Sequence, residues 1–453
     1  MATSYLTFLS ELYEEHMEEA AFLYEHRFAL IEDEEISWQD PHEFEQRFEA
    51  HLDALVIGET HAKKIAFEMA EGGEGPERHV YIRLLCRHDL CPDFLTFLSN
   101  TEFEDASETL AYSRALLCEA PETWATQLQS EIANLSQLQR YAVLPFLAKS
   151  NALDNSISLA FLDQVQDSAT LTHLLSYIST GATQFNRDML AKLSMDKSAE
   201  KSAAFVQHLI EHQQVDPSYY ATYSDHLHST ALPWLACAST PDLTPTLIQK
   251  FSSQPSNSLC IAAGIHGSLD TVPLLIAQLS NDETSKAAAY ALFTLTGAPL
   301  YTEQTQEETY DEDELFPVEL EKFKQGEKPK NAEGKPFSVT CVGLSQKPED
   351  WTQWFQQNQS NLDRTQRYRF GKPATARTTI SGLRAPLAYH PLRAYFAYEL
   401  LVRYAAGTRF EPSAEVPRQL SQLAALQNWS AKTEAQFTPG AWYRFGQLCG
   451  VAT

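Results

Sequence analysis

Between Ser4 and Leu30, Leu6, Leu9, Tyr13, Met17, Ala20, Tyr24 and Phe28 recur at steps of three and four, while Glu14, Glu15, Glu18 and Glu25 fall on other faces. That period predicts one long amphipathic helix. Asp40-Pro41-His42-Glu43 then supplies an N-cap, a proline at the first helical position and a glutamate three after the cap. With Phe44, Phe48, Leu52 and Leu55 following, a second helix is predicted there. Gly72-Gly73-Glu74-Gly75-Pro76 reads as a flexible break that closes an acidic N-terminal helical region, residues 1–75.

From 77 to 300 the pattern is one of short amphipathic helices between small polar turns, with no run of alternating β-branched residues. Within it, Asp242-Leu-Thr-Pro245-Thr-Leu247-Ile248 parallels Asp270-Thr-Val-Pro273-Leu-Leu275-Ile276, the prolines 28 residues apart. Such a repeat predicts helical hairpins that stack because one pair of short helices cannot bury its own apolar face. In the best unit, residues 262–297, Gly267 is expected to end one helix, Pro273 to bend or start the next, Asp282 to cap the third and Gly297 to close it. This unit resembles the HEAT-like repeat shared by phycobilisome lyases.

Residues 303–321 hold nine acids and no base, and lead into the Lys-, Gly- and Pro-rich 322–336, so 301–346 is expected to be a long loop. Beyond it, Trp351, Trp354 and Phe355 begin a helix, and Pro391 to Ala406 predicts another, with Leu392, Tyr395, Phe396, Leu400 and Tyr404 on its apolar side. The expected fold is all-α: a HEAT-like helical-hairpin solenoid with an N-terminal helical cap and a C-terminal helical domain over 347–453.

The order and spacing of four segments resemble a family of bacterial HEAT-repeat proteins encountered beside type VI secretion genes. The segments are His16-Met-Glu-Glu-Ala-Ala-Phe-Leu23, Arg47-Phe-Glu-Ala-His51-Leu-Asp-Ala-Leu55, the unit at 262–297, and Trp354 through Arg367-Tyr-Arg-Phe-Gly371. The chain departs from the family pattern between Pro317 and Trp351, where Gln325 to Gln346 forms an insert. The resemblance implies no enzyme activity and no cofactor. It implies a role beside a secreted toxin or effector, as an immunity protein that neutralises it or as an adaptor or chaperone that loads it.

Charge narrows the partners. A net charge of -26 over 453 residues disfavours nucleic-acid backbones and anionic membranes, because like charge repels. Residues 1–60 carry sixteen acids against Arg27 and Arg47, which makes a basic protein partner the better match. Glu14, Glu18 and Glu25 are the expected contacts there. From Arg364 to Tyr398 the balance inverts, with seven Lys/Arg and no acid. Arg364, Arg367, Arg369, Lys372 and Arg377 of this stretch are candidates for a partner-binding patch; packing within the fold, for instance against the acidic segment 303–321, is the competing reading. Seven cysteines, no basic leader and no long apolar run predict a cytoplasmic protein with reduced thiols and no membrane span.

Candidates for chemistry are sparse. Cys86-Arg-His88-Asp89-Leu-Cys91 has zinc-ligand types but no second spaced pair, and buried helical cysteines explain it as well. Asp225-His226-Leu-His228 lacks a third ligand. The one His-Glu dipeptide, His42-Glu43, cannot hold two irons as the repeated pairs of deoxyhypusine hydroxylase do, and its glutamate is expected to serve the helix cap. There is no nucleophile elbow and no phosphate-cradling glycine loop. A HEAT-type lyase or metal enzyme is therefore the alternative of another class, and protein binding is the expectation.

Overall fold

The computed structural model describes residues 5–33, 36–150, 228–307, 338–385 and 390–450, together with residues 152, 203, 206, 207, 210, 320, 323 and 324. The fold is all-α. Eight helices make up the first part: α1 (Tyr5–Glu32), α2 (His42–Ile57), α3 (Glu59–Gly72), α4 (Gly75–Arg87), α5 (Cys91–Asn100), α6 (Thr109–Glu119), α7 (Trp124–Glu131) and α8 (Gln137–Lys149). Met17, Ala20, Ala21 and Leu23 of α1 are buried against α2, α3 and α4. Leu6, placed by its spacing on the same face, is instead 64% exposed.

The second helix forms where its periodicity places it, but its cap differs. α2 starts at His42, and Asp40 turns its carboxylate back to accept from the Ser37 backbone N–H at 2.8 Å. The carboxylate that matters in this turn is Glu45, which is buried and takes Arg27 Nε at 2.7 Å. The glycine-rich break is a tight turn: Glu74 caps α4 in a reciprocal box with Glu77, and α3 packs directly on α4.

Alternate helices then stack, α4 on α6 and α6 on α8. The same layering recurs in α9 (Leu232–Ala238), α10 (Leu243–Ser253), α11 (Asn257–His266), α12 (Val272–Gln278) and α13 (Ser285–Thr296), where α9 packs on α11 and α11 on α13. Gly267 and Gly297 end α11 and α13 with φ of +91° and +61°, and Pro273 sits in the first turn of α12. Asp282 does not cap the third helix, which begins after Thr284. Most of the acidic segment falls outside the described residues. Its start is not loop: β1 (Tyr301–Glu307) pairs antiparallel with β2 (Ser338–Leu344), whose Val339, Thr340 and Val342 favour extended backbone.

The C-terminal part contains α14 (Pro348–Asn358), the hairpin β3 (Tyr368–Arg369) and β4 (Lys372–Pro373), α15 (Ala376–Arg384), α16 (His390–Tyr404), α17 (Val416–Thr433) and the hairpin β5 (Trp442–Arg444) and β6 (Gln447–Gly450). Here the chain repeats itself. Trp354, Leu362 and Tyr368-Arg-Phe-Gly371 recur 75 residues later as Trp429, Phe437 and Tyr443-Arg-Phe-Gly446. Each copy runs helix, 3-10 turn, then hairpin. In both copies the tyrosine hydroxyl accepts the backbone N–H of the residue five earlier, Asp363 at 2.8 Å and Thr438 at 2.7 Å.

Each Phe-Gly pair holds two consecutive positive φ values, 53° and 72° in the first copy, 47° and 77° in the second. That geometry is what a two-residue hairpin turn requires. It also aims both turn N–H groups at a helix end. Phe370 and Gly371 donate to the Thr294 and Leu295 carbonyls of α13 at 2.7 and 2.9 Å, and Phe445 and Gly446 to the Val402 and Arg403 carbonyls of α16 at 2.7 and 3.0 Å. Helix C-termini leave carbonyls without partners, and these clasps supply them. The C-terminal segment thus stitches the ends of earlier helices to itself.

Candidate functional site

The basic stretch divides sharply once folded. Arg367, Arg369, Arg393 and Arg403 have no exposed surface. Arg367 donates through Nε to the His266 carbonyl at 2.8 Å and through Nη2 to Ile265 at 2.7 Å. Arg369 reaches Gly264 and Ile265 at 2.9 and 2.8 Å, so two guanidiniums cover the last turn of α11. Arg403 does the same for α9, donating to Ala236 and Ser239 at 3.1 and 3.0 Å, and Arg393 donates to Leu383 at the end of α15. A cation at a helix C-terminus meets both the orphan carbonyls and the negative end of the helix dipole.

Three of these arginines converge on one acid, Glu399, which is itself fully buried. Arg369 Nη2 lies 2.8 Å from Oε2 and Arg403 Nε 3.3 Å from Oε1, while Arg367 also contacts Oε1. Burial would raise the Glu399 carboxyl, but the three guanidiniums hold it below the usual carboxylate range. Beside the cluster, His266 bonds Ser239 Oγ through Nδ1 at 2.8 Å and Thr244 Oγ1 through Nε2 at 2.9 Å. Burial and the neighbouring arginines push it well below the ordinary histidine value, so it stays neutral. Arg367 and Arg369, two residues expected as partner contacts, are therefore internal. Their companions Arg364, Lys372 and Arg377 are not: Lys372 is exposed, Arg364 is exposed and pairs with Asp270 at 3.1 Å, and Arg377 pairs with Glu434 at 3.3 Å.

The acidic N-terminal helix behaves in the opposite way. Glu14, Glu18 and Glu25 are all exposed. Phe8, Glu11, Glu15, Glu18, Phe22, Glu25 and Ala29 advance by three and four and are all exposed, so they form one continuous stripe opposite the buried face. Phe8 and Phe22 are 54% and 56% exposed. Among the described residues no cation pairs with Glu11, Glu14, Glu15, Glu18 or Glu25. The two arginines of this region are committed elsewhere, Arg27 to Glu45 and Arg47 to Glu19.

Behind α1 lies a cleft of about 830 Å³ where α1, α2, α4 and α6 face the segment entering α17. Its rim is a lattice of ion pairs: Arg83 with Glu119 at 3.0 Å and Glu49 at 2.8 Å, Arg87 with Glu119 at 2.7 Å and Asp53 at 2.5 Å. The N- and C-terminal parts meet here, through Arg27 Nη2 to the Ser413 carbonyl at 3.0 Å and the Val416 N–H to Glu45 at 2.8 Å. Tyr24 lies against His79 with ring centroids 3.8 Å apart, and His79 Nδ1 meets the Ala111 carbonyl at 3.1 Å.

The cysteine candidates sit in the packing. Cys86 and Cys91 are buried free thiols, Cys91 pushed up to about 11 by burial, and Asp89 accepts the Trp124 indole N–H at 2.7 Å. Among the described residues no three His, Cys, Asp or Glu side chains gather as a metal site would require. His226 lies outside the described residues, whereas His228 caps a 3-10 turn by accepting the Thr230 N–H. Among the described residues, no helix is long and apolar enough to cross a membrane.

Sequence reasoning passed over Glu399, one residue beyond the acid-free window, and over the repeated Tyr-Arg-Phe-Gly, which was open to reading as an internal duplication. Among the described residues, fold and surface define a layered helical protein with a clasped interior and an acidic-aromatic helix face on the outside of α1. No protein-family model, no curated protein and no solved structure matches the chain.

Proposed function

We propose that this chain is a protein-binding protein without catalytic activity, and that the outer face of α1 receives a basic partner. The carrying observation is the stripe from Phe8 to Ala29, where acids that pair with no cation among the described residues lie between two exposed aromatic rings. Over 21 residues an α-helix rises about 31 Å, enough to span a second helix or a folded domain edge. Complementary charge would speed encounter, and burial of Phe8 and Phe22 would fix affinity. The gene-cluster resemblance supports a secreted toxin or effector as that partner, with immunity as the leading role and loading as its rival. A nucleic acid is a poor occupant of this face, since both carry negative charge.

The test uses tagged wild-type protein and a Glu15→Lys, Glu18→Lys, Phe22→Ser variant, each used to capture proteins from the native host. A basic protein retained at equal stoichiometry by the first and lost from the second supports the reading. Retention by both, or by neither, contradicts it. Co-expression with the captured protein then separates the roles: an immunity protein abolishes toxicity, whereas an adaptor leaves it intact.

A further inference from the structure

The cleft behind α1 holds two adjacent donors, Tyr24 and Arg114, that meet no carboxylate among the described residues. The Tyr24 hydroxyl is buried, and beside it stands Arg114, which can only donate, so the hydroxyl proton has no acceptor among the described residues. Arg114, half-buried on α6, has its guanidinium carbon 4.3 Å from the centre of the Phe28 ring and pairs with no carboxylate among the described residues. The other cleft arginines are neutralised, Arg27 by Glu45, Arg83 by Glu49 and Glu119, and Arg418 by Glu411. Arg114 and Tyr24 are neighbours: burial raises the phenol above its ordinary value, and Arg114 is the strongest influence in the other direction. His79, beneath Tyr24, is held well below its ordinary value by burial first, and then by Arg83, Arg114 and Arg27. Among the described residues Arg114 is thus the cleft arginine left without a carboxylate, although the lining also carries Glu45, Glu49, Asp53, Glu119, Glu411 and Glu415.

A buried hydroxyl proton without an acceptor is unfavourable, and an acceptor in the cleft would relieve it. A guanidinium stacked by one face on an aromatic ring keeps its edge free for the two parallel bonds a carboxylate accepts. The surrounding walls, Leu23, Phe28, Phe48 and Leu117, are apolar, and the volume is within the range of sites that enclose a short peptide or small molecule. We infer that the cleft is a peptide-binding site in which Arg114 and Tyr24 hold a carboxylate, either a chain terminus or an Asp or Glu side chain. This inference rests on the cleft and is independent of the partner assigned to the outer face of α1.

The experiment presents the full chain with three pools of random acetylated hexapeptides: free C-terminal carboxylates, the same pool as carboxamides without acids, and carboxamides carrying one fixed glutamate. Bound peptides are separated by size and counted by mass spectrometry. Enrichment at least tenfold above the acid-free carboxamides is expected for one or both carboxylate pools, and which pool it is identifies the source of the carboxylate. The enrichment should vanish in Arg114→Gln and fall about threefold in Tyr24→Phe. Tyr24→Phe removes one hydroxyl and keeps the ring that stacks on His79, so it tests the site without changing the charge of the cleft. No enrichment of any pool, equal enrichment of acid-free carboxamides, or enrichment unchanged in Arg114→Gln overturns the inference.

Discussion

Two charged stretches stand out in this chain, and folding sends them to opposite places. Of the basic run after Arg364, Arg367, Arg369 and Arg393 go to the interior, where they meet helix carbonyls, Glu399 or Gln419. The acidic run of α1 stays outside, with Glu11, Glu14, Glu15, Glu18 and Glu25 facing solvent. The difference lies in what each ion can find. A guanidinium offers five donors in a planar fork and can cap two or three carbonyls at a helix end while touching a carboxylate. A carboxylate only accepts, and α1 offers no free N–H on its outer face. Charge density alone therefore does not mark a binding surface; the supply of internal partners does.

The strongest consequence is expected at Glu399. Removing one partner of a buried ionic network leaves uncompensated charge, so Glu399→Ala should lose roughly 3–5 kcal/mol in chemical denaturation. A loss below about 1 kcal/mol would mean that the helix carbonyls alone satisfy the arginines. Next comes pH. His79 and His266 are both held well below the ordinary histidine value by burial first and arginines second. The unfolded chain takes up those protons below about pH 6.5, whereas the folded chain does not. Stability should then be complete above pH 6.5 and fall with acidification by up to about 1.4 kcal/mol per pH unit for each histidine. A flat profile between pH 7 and 5 would contradict the neutral buried assignment.

Smaller effects test the clasp and the surface. In Gly297→Ala the new Cβ would lie 2.6 Å from the Phe370 carbonyl at a φ of +61°. A cost of about 1–3 kcal/mol is expected, together with faster amide exchange at Phe370 and Gly371. Unchanged exchange there would show that the hairpin does not depend on that helix end. Arg364→Ala breaks only an exposed pair with Asp270 and should shift stability by less than about 1 kcal/mol. A larger loss would place that residue with the internal arginines.

Much of the architecture was legible because period and punctuation carry it. α1, the helix after Pro348 and α16 follow from apolar spacing, and Gly267, Gly297 and Pro273 mark their turns because only special backbone geometry suits them there. The cap of α2 was misplaced since Asp40 had a nearer donor in Ser37 than the helix offered. The strand at Tyr301 was hidden because its partner lies beyond the acidic segment, and pairing between distant strands leaves no local signature. For the surface, the spacing placed Glu14, Glu18 and Glu25 off the apolar face, and they are exposed. Arg367 and Arg369 could not be separated from Arg364 by residue type; what separates them is Tyr-Arg-Phe-Gly, which fixes a turn against α13 and buries the arginines before it.

The central claim, that α1 presents a binding face for a basic protein, is tested most directly by titrating the captured partner onto wild type and onto the Glu15→Lys, Glu18→Lys, Phe22→Ser variant at low and high salt. Wild type should bind with an association rate that falls as salt rises, and the variant should lose at least about thirtyfold in affinity while unfolding within about 0.5 kcal/mol of wild type. Equal affinity for the two folded proteins, or binding indifferent to salt, would contradict the claim.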